Sequence, residues 1–274
     1  MKKKDFNRDW LFGAVGKESS MQPVTLPHDA MLYEKRSKDA ATAGACGYFP
    51  GGTYVYVKRI FVPETWRTQS AVLEFEAVYQ NAQVFVNDAL VAEQRYGYTN
   101  FFVVLDPQLK YGEENEIKVI ADNSSVPNSR WYSGSGIYRD VHLTVTEPVH
   151  VARYGTKITT PDLQEEYTSG QDVTVNVATQ VQNDSEDEAT VTVRTSMVGY
   201  EDESVLIDPV ESEPVSVAAG ETETVEQVLS AVEPALWSVD DPNLYNLVTE
   251  ILVDGVVTDR YESRFGFRWT EFTV

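Results

Sequence analysis

Residues 129–141 read SRWYSGSGIYRDV, placing a guanidinium, two aromatic rings and a hydroxyl side by side at Arg130, Trp131, Tyr132 and Ser133, with Asn128 just before them. A sugar offers apolar C–H faces to aromatic rings and hydroxyls to charged or amide groups, so this combination suits a carbohydrate rim. His28 and Asp29 in LPHDA (26–30), and Tyr48 with Phe49, are candidates for the same rim. The bland alternatives are a core plug at a strand end for Trp131 and an ion pair with a neighbouring acid for Arg130. Tyr138 and Arg139 already alternate into the following apolar run and read as structural.

Other chemistries find less support. The chain has one cysteine, Cys46, so it has neither an internal disulfide nor a cysteine-based zinc site. Its three histidines, His28, His142 and His150, are far apart in sequence and none has a partner at ligand spacing, so the expectation is no cofactor, with a loop-bound calcium or magnesium ion left open. There is no G-x-S-x-G elbow and no phosphate-cradling glycine loop that opens a helix; GYFPGGTY (47–54) leads into a strand. Acids are plentiful, but nothing marks two of them as a shielded pair of the kind that cleaves a glycoside.

The elements that must position these residues are strands. TYVYVKRIFV (53–62), AVLEFEAV (71–78), AQVFVNDALV (82–91), FFVVLD (101–106), NEIKVIAD (115–122) and IYRDVHLTVTE (137–147) alternate or run apolar with β-branched and aromatic residues. Turn residues separate them, and no stretch of ten residues has clean helical periodicity. Glu147-Pro148 closes this block. About seven shorter strands follow, VARYGTKITT (151–160), DVTVNVATQVQN (172–183), ATVTVRTSMV (189–198), PVSVAAG (214–220), ETVEQVLS (223–230), LYNLVTEILVDG (244–255) and VVTDRYESRFGF (256–267), at the spacing of an immunoglobulin-like sandwich. The expectation is an all-β chain of two domains, a jelly-roll sandwich over 1–148 and an immunoglobulin-like sandwich over 149–274.

Charge divides the chain at the same place. The net charge is −21; residues 1–148 carry 18 acidic and 16 basic side chains, residues 149–274 carry 25 and 6, and no lysine follows Lys157. Such a surface repels nucleic acid and anionic membrane, so neither is expected as a partner. No apolar stretch approaches the ~20 residues of a membrane helix. The start, MKKKDFNRDW, has no apolar run after its basic patch, and together with the lone cysteine this points to a cytoplasmic, reducing compartment.

Taken in order, LPHDA, GGTYVYVKRIFVPETW, NAQVFVNDALV, GYTNFFVVLD, ADNSSVPNSRWYSGSGIYRDVHL, LWSVDDPNLYNL and RFGFR resemble glycoside hydrolase family 2, the family of β-galactosidases, β-glucuronidases and β-mannosidases. The resemblance runs from Trp10 to Phe267. It implies a galactose-binding-like jelly roll and then an immunoglobulin-like domain, with the segment matching RFGFRWTEF (264–272) leading into a (β/α)₈ barrel that holds both catalytic glutamates. On that reading this chain is the non-catalytic N-terminal portion of such an enzyme, inactive alone, with the barrel as its missing partner and a terminal β-glycoside as substrate. The loop matching Asn128 to Ser133 would help define the first sugar subsite, with Arg130 standing where several relatives carry an acid. The SRWYSGSGIYRD form favours β-galactoside, and the acidic sandwich is expected to serve as a spacer or a contact within a homo-oligomer. A free-standing carbohydrate-binding or adhesive module, and a purely structural interaction domain, are the rival readings.

Overall fold

A computed structural model describes residues 2–125 and 133–272. The chain separates into two compact units, one of residues 3–145 and one of residues 146–274 with residues 1–2. The first unit carries β1 (Lys2–Asp5), β2 (Trp10–Ala14), β3 (Gln22–Val24), β4 (Thr53–Val62), β5 (Ser70–Phe75), β6 (Ala82–Val86), β7 (Ala89–Gln94), β8 (Phe101–Val104), β9 (Glu113–Asp122) and β10 (Val141–Thr146). They form a six-stranded sheet in the order β3-β2-β4-β9-β6-β7 and a four-stranded sheet in the order β1-β10-β5-β8. Between the sheets lies one apolar cluster that includes Trp10, Tyr56, Leu73, Phe75, Ile117, Val119 and Val141.

Local chemistry explains the departures from a simple strand reading. The run 82–91, expected as one strand, is the hairpin β6–β7, folded at Asn87 and Asp88, whose φ of 48° and 68° suit the primed turn that matches strand twist. The run 137–147 is strand only from Val141; before it, the Tyr138 hydroxyl donates to the Gly97 carbonyl at 2.7 Å. Lys58 on β4 is buried, its ammonium donating to the Arg8 carbonyl and lying 4.6 Å from the Phe6 ring centre and 5.9 Å from that of Trp10. Burial lowers its pKa, which Asp9 and Asp5 oppose.

The second unit carries β11 (Val149–Thr159), α1 (Leu163–Ser169), β12 (Val173–Asn183), β13 (Ala189–Gly199), β14 (Val205–Glu211), β15 (Val215–Val217), β16 (Thr222–Ala231), β17 (Tyr245–Val253) and β18 (Val256–Phe265). One sheet runs β11-β12-β16; the other runs β14-β13-β17-β18, with β15 pairing β13. β12 alternates buried and half-buried residues almost without exception, as a strand with one covered face must. Gln227 of β16 bolts the sheets together: it accepts from Thr195 Oγ1 at 2.7 Å and donates to the Val193 and Val210 carbonyls. Strand β11 bulges between Val151 and Thr156, and the buried Asp259 carboxylate accepts from the Val151 amide at 2.9 Å.

Candidate functional site

Asn128, Arg130, Trp131 and Tyr132 lie outside the described residues, so the site is built from what holds the two ends of their segment. On the entering side, β9 ends at Asp122, whose Oδ1 accepts from Ser124 N and Thr53 Oγ1 at 3.0 and 2.9 Å. Partial burial would raise this carboxyl, but those donors outweigh it and hold the pKa below the ordinary range. The next residue, Asn123, is buried and crosses to the returning side, donating to the Gly134 carbonyl at 3.1 Å and to Ser135 Oγ at 2.8 Å.

The returning side, residues 133–137, is clamped from two further directions. LPHDA runs beside it: Ala30 N donates to Ser135 O and His28 N to Ile137 O, both at 2.8 Å. The Asp29 carboxylate accepts from Met31 N and Ser135 N at 2.9 Å each, capping a short 3-10 turn and pinning the returning strand with one oxygen. From the other flank, Tyr79 and Gly136 exchange backbone hydrogen bonds at 2.9 and 2.7 Å. A two-residue exchange of this kind fixes register where no regular strand exists.

His28 is buried beside the returning side. It is 7% exposed, its ring lies against Phe12 and Tyr56, and Tyr33 stacks on it at 5.2 Å and 8°. Its Nδ1 sits 2.9 Å from Tyr56 Oη. Burial lowers the imidazole pKa, and the neighbouring Asp29 carboxylate opposes this without overcoming it. The Tyr56 oxygen accepts from Ile137 N and lies within donating distance of both Nδ1 and the His28 carbonyl, at 2.9 and 3.5 Å, so either neutral tautomer of His28 satisfies the pair. Because the folded pKa lies below the unfolded value near 6.5, the unfolded chain takes the proton first, and stability is lost as pH falls below about 6.5. His28→Gln removes that loss, at about 1.4 kcal/mol per unit of lowering. Thermal melts from pH 8 to pH 5 at constant salt should show the wild type's advantage over the variant shrinking toward acid; a constant gap would refute a neutral His28.

Ser133 is also buried, with its hydroxyl 3.4 Å from Cys46 Sγ and hydrogen-bonded to Tyr79. Tyr79 is in turn hydrogen-bonded to Tyr98, and burial raises its phenol pKa, with the Ser133 bond opposing. Sequence reasoning missed this joint, because Cys46 and Ser133 are 87 residues apart. Of the remaining candidates, Tyr48 is exposed, and Phe49 lies 5.9 Å from the Arg36 guanidinium. Asp29 thus holds the returning side at Ser135, Ser133 packs against Cys46 and Tyr79, and His28 lies beside them.

One further titratable cluster escaped sequence spacing. Donor atoms of Glu76, Asp140 and His142 lie within 4.8 Å of one another. Glu76 already accepts from Arg139 and His142, at 3.3 and 3.2 Å, and Asp140 accepts from Asn7 Nδ2 at 3.0 Å. Both Glu76 oxygens are engaged, and the trio reads as an ion-paired brace. The buried carboxylates among the described residues are similarly committed, Glu74 to Lys3 at 2.5 Å and Asn100 at 3.1 Å, and Asp259 to Val151. Retaining glycosidases need two reactive carboxyls ~5–5.5 Å apart across a scissile bond; the carboxylates named here are each held by hydrogen bonds or ion pairs.

Comparison with known proteins gives this scaffold its family. The model "Glycosyl hydrolases family 2, sugar binding domain" matches residues 33–148, and "Glycosyl hydrolases family 2" matches residues 150–268. The β-galactosidase BoGH2A of Bacteroides ovatus is 35% identical over 273 residues, a match covering 96% of this chain and 31% of that protein. A putative β-glucuronidase of Formosa agariphila is 28% identical over 278 residues, covering 96% and 25%. A solved glycosyl hydrolase family 2 member from Bacteroides cellulosilyticus superposes with a TM-score of 0.88 at 30% identity, covering 97% of this chain and 35% of its own. The chain therefore spans about a third or less of the length of these relatives. With its two units matched in order by two models of one family, this chain belongs to glycosyl hydrolase family 2.

Proposed function

We propose that this chain is the N-terminal, non-catalytic part of a family 2 glycosidase acting on terminal β-glycosides, with a β-galactoside the first choice of substrate. The two sandwiches shape one wall of the sugar subsite and brace a barrel that carries the reactive carboxyls. The observation that carries this reading is the end-to-end family match combined with the share of the relatives' length that lies beyond it. The clamp on residues 133–137 supports it further, since a wall that helps position a sugar must be held to a fraction of an ångström. In this role Asn128, Arg130, Trp131, Tyr132 and Ser133 form the sugar-facing stretch, with His28 and Asp29 as its support. Arg130 favours a β-glucuronide as the second substrate reading, because a guanidinium pairs with a carboxylate in a bidentate fork, and several relatives are named β-glucuronidases.

Aryl β-galactoside and aryl β-glucuronide hydrolysis by the 274-residue chain, and by the polypeptide encoded through the downstream sequence, tests the proposal. Turnover is expected from the longer polypeptide only. Turnover by the short chain, or none by the longer one on either glycoside, would overturn it, and the ratio of the two rates decides between galactoside and glucuronide.

A further inference from the structure

The loop between β7 and β8 holds two tyrosines out to solvent at its tip, Tyr96 at 61% and Tyr98 at 49% exposure. They are not loosely displayed. The Tyr98 ring packs edge-on against Tyr79 at 5.3 Å, and Tyr96 packs edge-on against Tyr98 at 5.5 Å. Between them, Gly97 lies flat against the Tyr79 ring, where a Cβ would come within 2.4 Å of Cδ2, and its carbonyl accepts the Tyr138 hydroxyl at 2.7 Å. The ring contact with Tyr79 and the Tyr138 hydrogen bond thus anchor a loop that carries a pair of exposed rings. A ring displayed without a function needs no such anchoring, and a pre-ordered ring binds at low entropic cost.

The chemistry of the tip points to its occupant. Tyrosine combines an apolar face with a hydroxyl, and the neighbouring Gln94, Thr99 and Asn100 are amides and a hydroxyl, not aliphatic side chains. An apolar protein surface or a lipid would be met by Leu, Ile or Phe; a pyranose ring, apolar on its C–H faces and polar at its edge, matches what is here. The location adds the decisive link. Tyr98 packs on Tyr79, which is hydrogen-bonded to Ser133, so the exposed rings stand one side chain away from Ser133.

We infer that Tyr96 and Tyr98 form a stacking platform for a further sugar unit of a β-linked oligosaccharide whose terminal residue is the glycoside proposed above. This rests on the function proposed above and adds a preference for extended saccharides over simple glycosides. A ring-stacking contribution of 0.5–1.5 kcal/mol corresponds to about a twofold to tenfold change in affinity.

The test is NMR of the 274-residue chain with ¹³C-labelled tyrosine, titrated with β-1,4-galactotetraose and, separately, with methyl β-galactoside. The Tyr96 and Tyr98 ring signals should move with the tetraose and stay nearly still with the monosaccharide. Tyr96→Ala should weaken tetraose binding about twofold to tenfold, whereas Tyr96→Phe, which keeps the ring, should not. In the longer polypeptide, Tyr96→Ala should lower kcat/KM for the tetraose by the same factor and leave aryl β-galactoside turnover unchanged. Ring signals indifferent to the tetraose, equal losses on both substrates, or rings that the rest of the longer polypeptide covers would each overturn the platform. Absence of any glycosidase activity in the longer polypeptide would strike the parent function instead, with the ring shifts still deciding the platform.

Discussion

Gly136→Ala is expected to cost the first unit about 3–5 kcal/mol, the sum of left-handed backbone strain and an overpacked contact. Gly136 has φ of +112°, a region that L side chains rarely adopt, and a Cβ there would lie 2.0 Å from Tyr56 Oη and 2.9 Å from Cζ. Neither side can yield easily. Gly136 is paired on both its N–H and its C=O to Tyr79, while Tyr56 is fully buried and its hydroxyl is bound to Ile137 N and His28. Urea unfolding of the variant should show a lowered midpoint with the slope unchanged. Adding Tyr56→Phe removes the oxygen the methyl meets but not the ring carbon at 2.9 Å, so the double variant should recover part of the overlap share and keep the backbone share, a coupling of about 1–2 kcal/mol. A midpoint that does not move in Gly136→Ala would mean that the clamp on residues 133–137 is not as tight as these contacts require.

That clamp also marks the boundary of what residue order reveals. The all-β class was readable, because segments such as TYVYVKRIFV and DVTVNVATQVQN carry the two-residue period in plain view, and they fold as β4 and β12 nearly to the residue. Strands were missed where position replaces composition. KKKD forms β1 at the edge of its sheet, where charge is tolerated and even protective, and VLIDPVE forms β14 at another edge despite Pro209. The helix Leu163–Ser169 buries only Leu163, too little to print a period.

The chemistry of the candidate residues was legible in the sequence, but their surroundings were not. His28 has the chemistry of a sugar contact, yet Phe12, Tyr33 and Tyr56 enclose it, and nothing in LPHDA announces rings contributed by distant segments. Asp29 meets Ser135 across 106 residues, and Asn123 reaches Gly134 and Ser135 across the segment it helps to hold. Such contacts depend on how strands are ordered in the sheets, and a one-dimensional pattern fixes strand faces long before it fixes strand neighbours. The tyrosine tip escaped for the opposite reason: QRYGYTN reads as an ordinary polar turn, and only the Tyr79 anchor shows that its rings are held.

The second unit should be equally sensitive at Phe267. Phe267→Ala is expected to destabilise it by about 3–5 kcal/mol, the usual range for removing a buried aromatic ring, which is a large fraction of the 5–15 kcal/mol that holds a typical domain. Phe267 is fully buried and meets Tyr245 at 5.4 Å and Phe265 at 5.1 Å, both edge-on. Its backbone does a second job: the carbonyl accepts from Trp237 N at 2.8 Å, and the residue bridges in parallel to Leu236. One residue of RFGFR therefore plugs the apolar cluster and ties LWSVDDPNLY to the end of β18, which gives two of the sequence signatures a joint structural cause. Phe267→Leu refills most of the space and should cost about 1–2 kcal/mol, the ordinary range for a near-volume-conserving swap. Trp237 is the natural probe, since it carries the bonded amide and lies 5.0 Å from the Arg268 guanidinium. Its fluorescence transition in urea should shift to lower concentration in the order Ala, then Leu, then wild type. Equal midpoints for Ala and Leu would show that the backbone tie, and not the ring, secures this end of the unit.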